Sequence, residues 1–102
     1  MSSQGNGQPT VYTVHTSART KNVLKQLHAE SLQAGTSKRF LAALRQIGKR
    51  LQQDPAVFGE PLYRLPALKL MVYQAVVPPL VVLYAVHEDH PLVFIRRFRI
   101  LS

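Results

Sequence analysis

The residues best suited to chemistry in this chain are gathered in its last apolar run, Val93-Phe94-Ile95-Arg96-Arg97-Phe98-Arg99. Side chains alternate between the faces of an extended strand, so Arg97 and Arg99 share one face with Val93 and Ile95, and Arg96 shares the other with Phe94 and Phe98. With the phenylalanine face as the core, Arg97 and Arg99 point together into the open side of a sheet, where paired guanidiniums can hold one phosphate by bidentate contacts. An edge strand guarded by charge against aggregation fits the same pattern. Arg64 and Lys69, near the start of an earlier strand, extend the patch or are ordinary surface cations. His87-Glu88-Asp89-His90 contains residue types that ligate zinc or manganese. Placed between apolar runs and before Pro91, however, it reads as a hairpin loop, in which adjacent ligands do not surround one ion. The chain has no cysteine, which excludes thiolate metal sites, disulfides and a cysteine nucleophile. No serine or threonine has His and Asp partners at a recognisable spacing, and there is no Gly-rich phosphate loop. Neither metal nor cofactor is expected.

The apolar pattern supplies the scaffold for those residues. Residues 1–9 have nothing to bury and are expected to be a flexible leader, which leaves a single domain over 10–102. Thr10 to His15, β-branched and aromatic, predicts a short strand, and Ser17 then offers an N-cap to a helix over Ala18 to Gln33. Val23, Leu24 and Leu27, with Ser31 and Ala34, recur on one helical face; Lys21, Lys25 and His28 form a second stripe, read as solvated. Gly35 ends the helix as a C-cap would. A second helix, from Thr36 or Ser37 to about Gln53, turns Phe40, Leu41, Leu44, Ile47, Gly48 and Leu51 inward and Lys38, Arg45 and Lys49 outward, until Asp54-Pro55 stops it. So short a link between the helices predicts an antiparallel hairpin. Asp54 to Pro66 is expected to be a loop. Strands are expected over Leu68 to Val77, Leu80 to Val86 and Leu92 to Leu101, the middle one apolar enough to be central, with short connections that make an antiparallel meander. The predicted order is β-α-α-β-β-β, an α+β fold with a helical hairpin packed on a mostly antiparallel sheet.

Composition limits the partners. At 102 residues with 46% apolar content, the chain suits one packed domain. Lys and Arg number 13 against 5 Asp and Glu, a net charge of +8 that favours nucleic acid, anionic lipid or an acidic protein. No apolar run approaches the roughly 20 residues that span a bilayer, and the N-terminus is polar where a signal peptide is apolar. A cytoplasmic location without membrane contact is therefore expected.

Several segments, taken in order, resemble a known family. A leading strand, a basic helical hairpin ending Leu51-Gln52-Gln53-Asp54-Pro55, then Phe58-Gly59-Glu60-Pro61-Leu62, an apolar strand ending Leu83-Tyr84-Ala85-Val86, and the arginine-bearing last strand look like the RelE/ParE superfamily of toxins from bacterial toxin–antitoxin pairs. The likeness covers nearly everything after Gln8. It implies a small cytoplasmic protein with a basic groove, silenced by an acidic or amphipathic segment of a cognate antitoxin. It also implies one of two actions: cleavage of mRNA on the ribosome, or poisoning of DNA gyrase.

Metal-independent RNA cleavage needs a base for the 2′-hydroxyl, cations for the phosphorane and an acid for the leaving oxygen. The Gly-Glu-Pro-Leu stretch is similar to the Pro-Glu-Pro-Leu segment that carries the general base in YoeB-like members, which makes Glu60 the candidate base. The plain alternative is a solvated loop carboxylate or a partner of Arg64. Arg97 and Arg99 then bind the scissile phosphate, and Lys49, Arg64, Lys69 and Arg96 follow the RNA backbone. Two departures bear on this assignment. Cleaving members tend to carry an Arg just before the central Tyr strand, where this chain has Leu80-Val81-Val82, and they often end in His or Tyr, where it ends Arg99-Ile100-Leu101-Ser102. Tyr73 and Tyr84 read as core residues, not acids. A gyrase inhibitor that needs no base, and a catalytically silent nucleic-acid-binding relic of the fold, stay open beside the nuclease.

Overall fold

The computed structural model describes residues 10–101, so the leader expected over 1–9 lies outside the described residues. Strand β1 (Thr13–Thr16) is followed by helices α1 (Ala18–Gln33) and α2 (Ser37–Gln53), the short helix α3 (Pro55–Phe58), and strands β2 (Glu60–Leu65), β3 (Leu70–Val77), β4 (Leu80–His87) and β5 (Leu92–Ile100). They form one five-stranded sheet in the order β1-β5-β4-β3-β2, antiparallel except for the β1–β5 pair. The α+β architecture with its helical hairpin is the one expected, and β4 is indeed the central strand.

Helix α1 begins where Ser17 Oγ accepts the backbone N–H of Thr20 at 3.1 Å. It ends as Gly35 takes the left-handed φ of +75°, a conformation that costs glycine no side-chain clash. Helix α2 buries Phe40, Ala43, Ile47 and Leu51 against Leu80, Val82, Tyr84 and Val86 of β4 and Val93 and Phe98 of β5. Leu41 and Gly48, expected inward, are exposed. The seam runs at i, i+3, i+7 and i+11 from Phe40, and a residue one step further is swung about 100° around the helix. His28, expected on a solvated stripe, is half-buried and stacked on Phe40 at 5.5 Å between ring centres.

The stretch expected as a loop over Asp54 to Pro66 instead holds α3, a fifth strand and a 3₁₀ turn at Pro66–Leu68. Strand β2 lies at the sheet edge with Glu60 to Arg64 all exposed, so no in–out alternation marks it in the sequence. Pro61 is tolerated there because an edge strand leaves backbone donors unpaired. No helix among the described residues is long and apolar enough to cross a membrane.

Candidate nucleic-acid interface

The helices pack on one face of the sheet, and the other face carries the arginines. In β5 the pairing with β4 runs Val93↔Val86, Phe94↔Ala85 and Ile95↔Tyr84, then shifts to Arg97↔Leu83 and Phe98↔Val82. Arg96 is the extra residue of a β-bulge, its carbonyl accepting the Thr20 hydroxyl at 3.5 Å. The bulge resets the alternation. Val93 and Phe98 both face the helices and are buried, whereas simple alternation would put them on opposite faces. Phe94 lies on the open face, stacked on His15 at 5.2 Å. Arg97 and Arg99 do point together into the open side, because they flank the inward-facing Phe98; what the bulge changes is Phe94, which does not share a face with Phe98.

The last strand is also not an edge. It lies between β1 and β4, although β1 pairs only with Leu92 to Ile95 and stops short of the arginines.

The registers align a row across the open face: Glu60 opposite Gln74, Gln74 opposite Leu83, Leu83 opposite Arg97. Residues directly paired in antiparallel strands share a face, so a carboxylate on β2 and a guanidinium on β5 flank an amide and an apolar floor. Arg99 stands one same-face position along, opposite Val81. The two arginines border a cavity of about 270 Å³ lined by Leu62, Tyr63, Gln74, Val81, Leu83, Arg97 and Arg99, to which Glu60 does not contribute. Glu60 stands at the end of the row, exposed, and among the described residues it enters no salt bridge; its supposed partner Arg64 is engaged elsewhere.

The start of β2 is fixed by a joint at the end of α2. Asp54 accepts two hydrogen bonds from the Arg50 guanidinium, at 2.8 and 3.1 Å. Arg50 in turn lies over the Phe58 ring, 4.9 Å from its centre. Phe58 stacks on Tyr84, and Tyr84 on Tyr73. The Tyr84 hydroxyl donates to the Pro55 carbonyl at 2.6 Å, and burial pushes its pKa upward, which keeps it neutral. Both tyrosines belong to or pack against the core.

The other candidate cations do not converge on this face of the sheet. Arg64 pairs with Glu88, one arm of the fork at 2.8 Å, and Lys69 pairs with Asp89 at 3.1 Å, both at the β4–β5 hairpin. These side-chain hydrogen bonds hold the Glu88 and Asp89 carboxyls below their ordinary values. At the tip of the hairpin, His87 Nδ1 accepts the backbone N–H groups of Asp89 and His90, so this imidazole organises a turn. Lys49 is on the exposed side of α2, with Arg45, across the helical layer from the arginine row. Arg96 borders a separate hollow beside Ser17, Arg19 and Thr20, which it shares with Arg97.

Three cavity residues escaped the sequence reading. Leu62 and Tyr63 fell in the supposed loop. Gln74 did carry a signal, as the lone amide inside the apolar run Leu70 to Val77.

No family model and no curated protein matches the chain. Among solved structures it is similar to a chain of the toxin–antitoxin complex RelBE2 from Mycobacterium tuberculosis, at 24% identity over 91% of this chain and 94% of that one, with a TM-score of 0.59. That likeness establishes a RelE-like fold.

Proposed function

We propose that this protein is the toxin of a toxin–antitoxin pair and acts by metal-independent cleavage of mRNA on the ribosome. The observation that carries the reading is the row Glu60–Gln74–Leu83–Arg97 on the open face, with Arg99 beside it. In this mechanism Glu60 takes the proton of a ribose 2′-hydroxyl, which attacks the adjacent phosphorus to form the 2′,3′-cyclic phosphate as the bond to the 5′-oxygen of the next nucleotide breaks and that oxygen takes a proton from water. Arg97 and Arg99 neutralise the charge that builds on the phosphoryl oxygens. A cognate antitoxin with an acidic or amphipathic segment covers the same cations; the solved neighbour is itself part of a toxin–antitoxin complex.

One observation favours a second reading. Where cleaving relatives tend to carry a further arginine, Val81 and Val82 are buried, so a gyrase-directed toxin that needs no base has support of its own. Induction in cells, followed by incorporation of labelled methionine and thymidine and by primer extension on an abundant message, separates the two. The nuclease reading expects early loss of methionine incorporation with new message breaks. Glu60→Gln should reduce cleavage about 10²- to 10⁴-fold, and Arg97→Ala about 10²- to 10³-fold. Loss of thymidine incorporation first, with intact message in wild type, would replace the nuclease with the gyrase inhibitor.

A further inference from the structure

The cavity on the open face contains more than a phosphate site needs. A phosphate is satisfied by Arg97 and Arg99, yet the same cavity is walled on the β2 side by Leu62 and Tyr63 and has Gln74 in its floor. Tyr63 is 47% exposed, whereas Tyr84 is fully buried and Tyr73 is stacked on it. The bulge between Pro61 and Tyr63 in the β2–β3 register brings Leu62 and Tyr63 to the cavity together. From β2 to β5 is three strand spacings, about 14 Å, which the side chains of Tyr63 and Arg97 shorten from either side. The remaining gap has an aromatic wall at one end, cations at the other and an apolar floor of Val81 and Leu83 with one amide. An unpaired nucleotide fits that order of surfaces: a planar base to stack, a base edge to exchange hydrogen bonds with an amide, and a phosphate.

Resting on the RNA-cleaving reading above, we propose that Tyr63 and Gln74 form a nucleobase subsite, with Tyr63 as the stacking platform and Gln74 as the group that reads the base edge. The subsite takes one unpaired base of single-stranded RNA whose phosphate lies on Arg97 and Arg99. Tyr63 acts by positioning and touches no reacting bond. It gives the chain an aromatic platform on β2.

The chain has four tyrosines and no tryptophan, so its own emission is tyrosine emission, and the part that responds in the wild type but not in Tyr63→Leu belongs to Tyr63. The test titrates the full-length protein with a short single-stranded RNA whose 2′-hydroxyls are methylated to prevent cleavage, and in parallel with inorganic polyphosphate, which has the charge without bases. The RNA is expected to quench tyrosine emission and polyphosphate to leave it unchanged. Tyr63→Leu should remove that quenching and weaken RNA binding about 5- to 150-fold, the loss expected for one base–aromatic stack, while Tyr63→Phe keeps the affinity. Gln74→Leu should alter the ranking of the four homopolymers and spare polyphosphate binding. RNA affinity lost in Arg97→Ala but unchanged in Tyr63→Leu would overturn the subsite and leave the nuclease reading standing. RNA affinity unchanged in Arg97→Ala, or no binding of RNA at all, would overturn both.

Discussion

A Cβ on Gly59 would collide with the Tyr84 hydroxyl and stand 3.0 Å from the Gln74 carbonyl oxygen. Neither atom is free to move, since the hydroxyl is bonded to Pro55 and the carbonyl belongs to the sheet. The φ of −104° at Gly59 is open to any residue, so the requirement for glycine is one of space. Gly59→Ala should therefore cost about 1–3 kcal/mol in chemical denaturation, the range for overpacking a filled site, and should displace the adjoining Glu60. This was not legible in the sequence, because the atoms that exclude a side chain come from residues far along the chain. The Arg50–Asp54 pair, by contrast, is an i, i+4 contact on a helix and can be read from spacing alone. Glu60 is a candidate by its resemblance to a motif, and only the β2 register shows that it shares a row with Arg97.

At the scale of elements, α1 is legible to the residue at both ends because its signals are local: a serine cap at the start and a glycine that can take positive φ after the end. Strand β2 was invisible because an exposed edge strand has no face to bury. The apolar pattern marks strand β5 but not its phase. The run Ile95-Arg96-Arg97-Phe98 places two charges in succession between apolar residues that both turn inward, which only a bulge permits. Deleting Arg96 should thus restore plain alternation, with Val93, Ile95 and Phe98 inward and Arg97 and Arg99 still on the open face. Stability should change by less than about 2 kcal/mol, and nuclear Overhauser contacts between Leu83 and Arg97 should persist. If the deletion instead unfolds the chain, the bulge and its Thr20 contact contribute more than register.

Across the whole molecule, charge is unevenly matched. Three ion pairs, Arg50–Asp54, Arg64–Glu88 and Lys69–Asp89, use three of the five acidic residues and lie away from the arginine row. Exposed pairs of this kind contribute little, whereas a net charge of +8 on so small a body repels itself. Repulsion is the larger effect, so moderate salt should raise the melting temperature. A fall on adding salt would show that the pairs dominate. Acid acts in the opposite direction to salt. The Glu88 and Asp89 carboxyls titrate below their ordinary 4.5 and 3.8 because Arg64 and Lys69 bond the charged forms. Their stabilisation is complete above those ordinary values and is lost as pH falls through the lower folded-state ones. Melting curves from pH 6 down to pH 3 should show that loss, and Glu88→Gln should reduce its size.

The stack that runs from Arg50 through Phe58 and Tyr84 to Tyr73 has a genetic consequence. It joins the end of a helix, the start of the carboxylate-bearing strand and the centre of the sheet, so substitutions there disturb abundance and site geometry together. On the toxin reading proposed above, survivors selected for recovered growth would map to this stack as often as to the open face. Immunoblots of each survivor would divide them, with full protein levels marking lesions of the open face and depleted levels marking lesions of the stack.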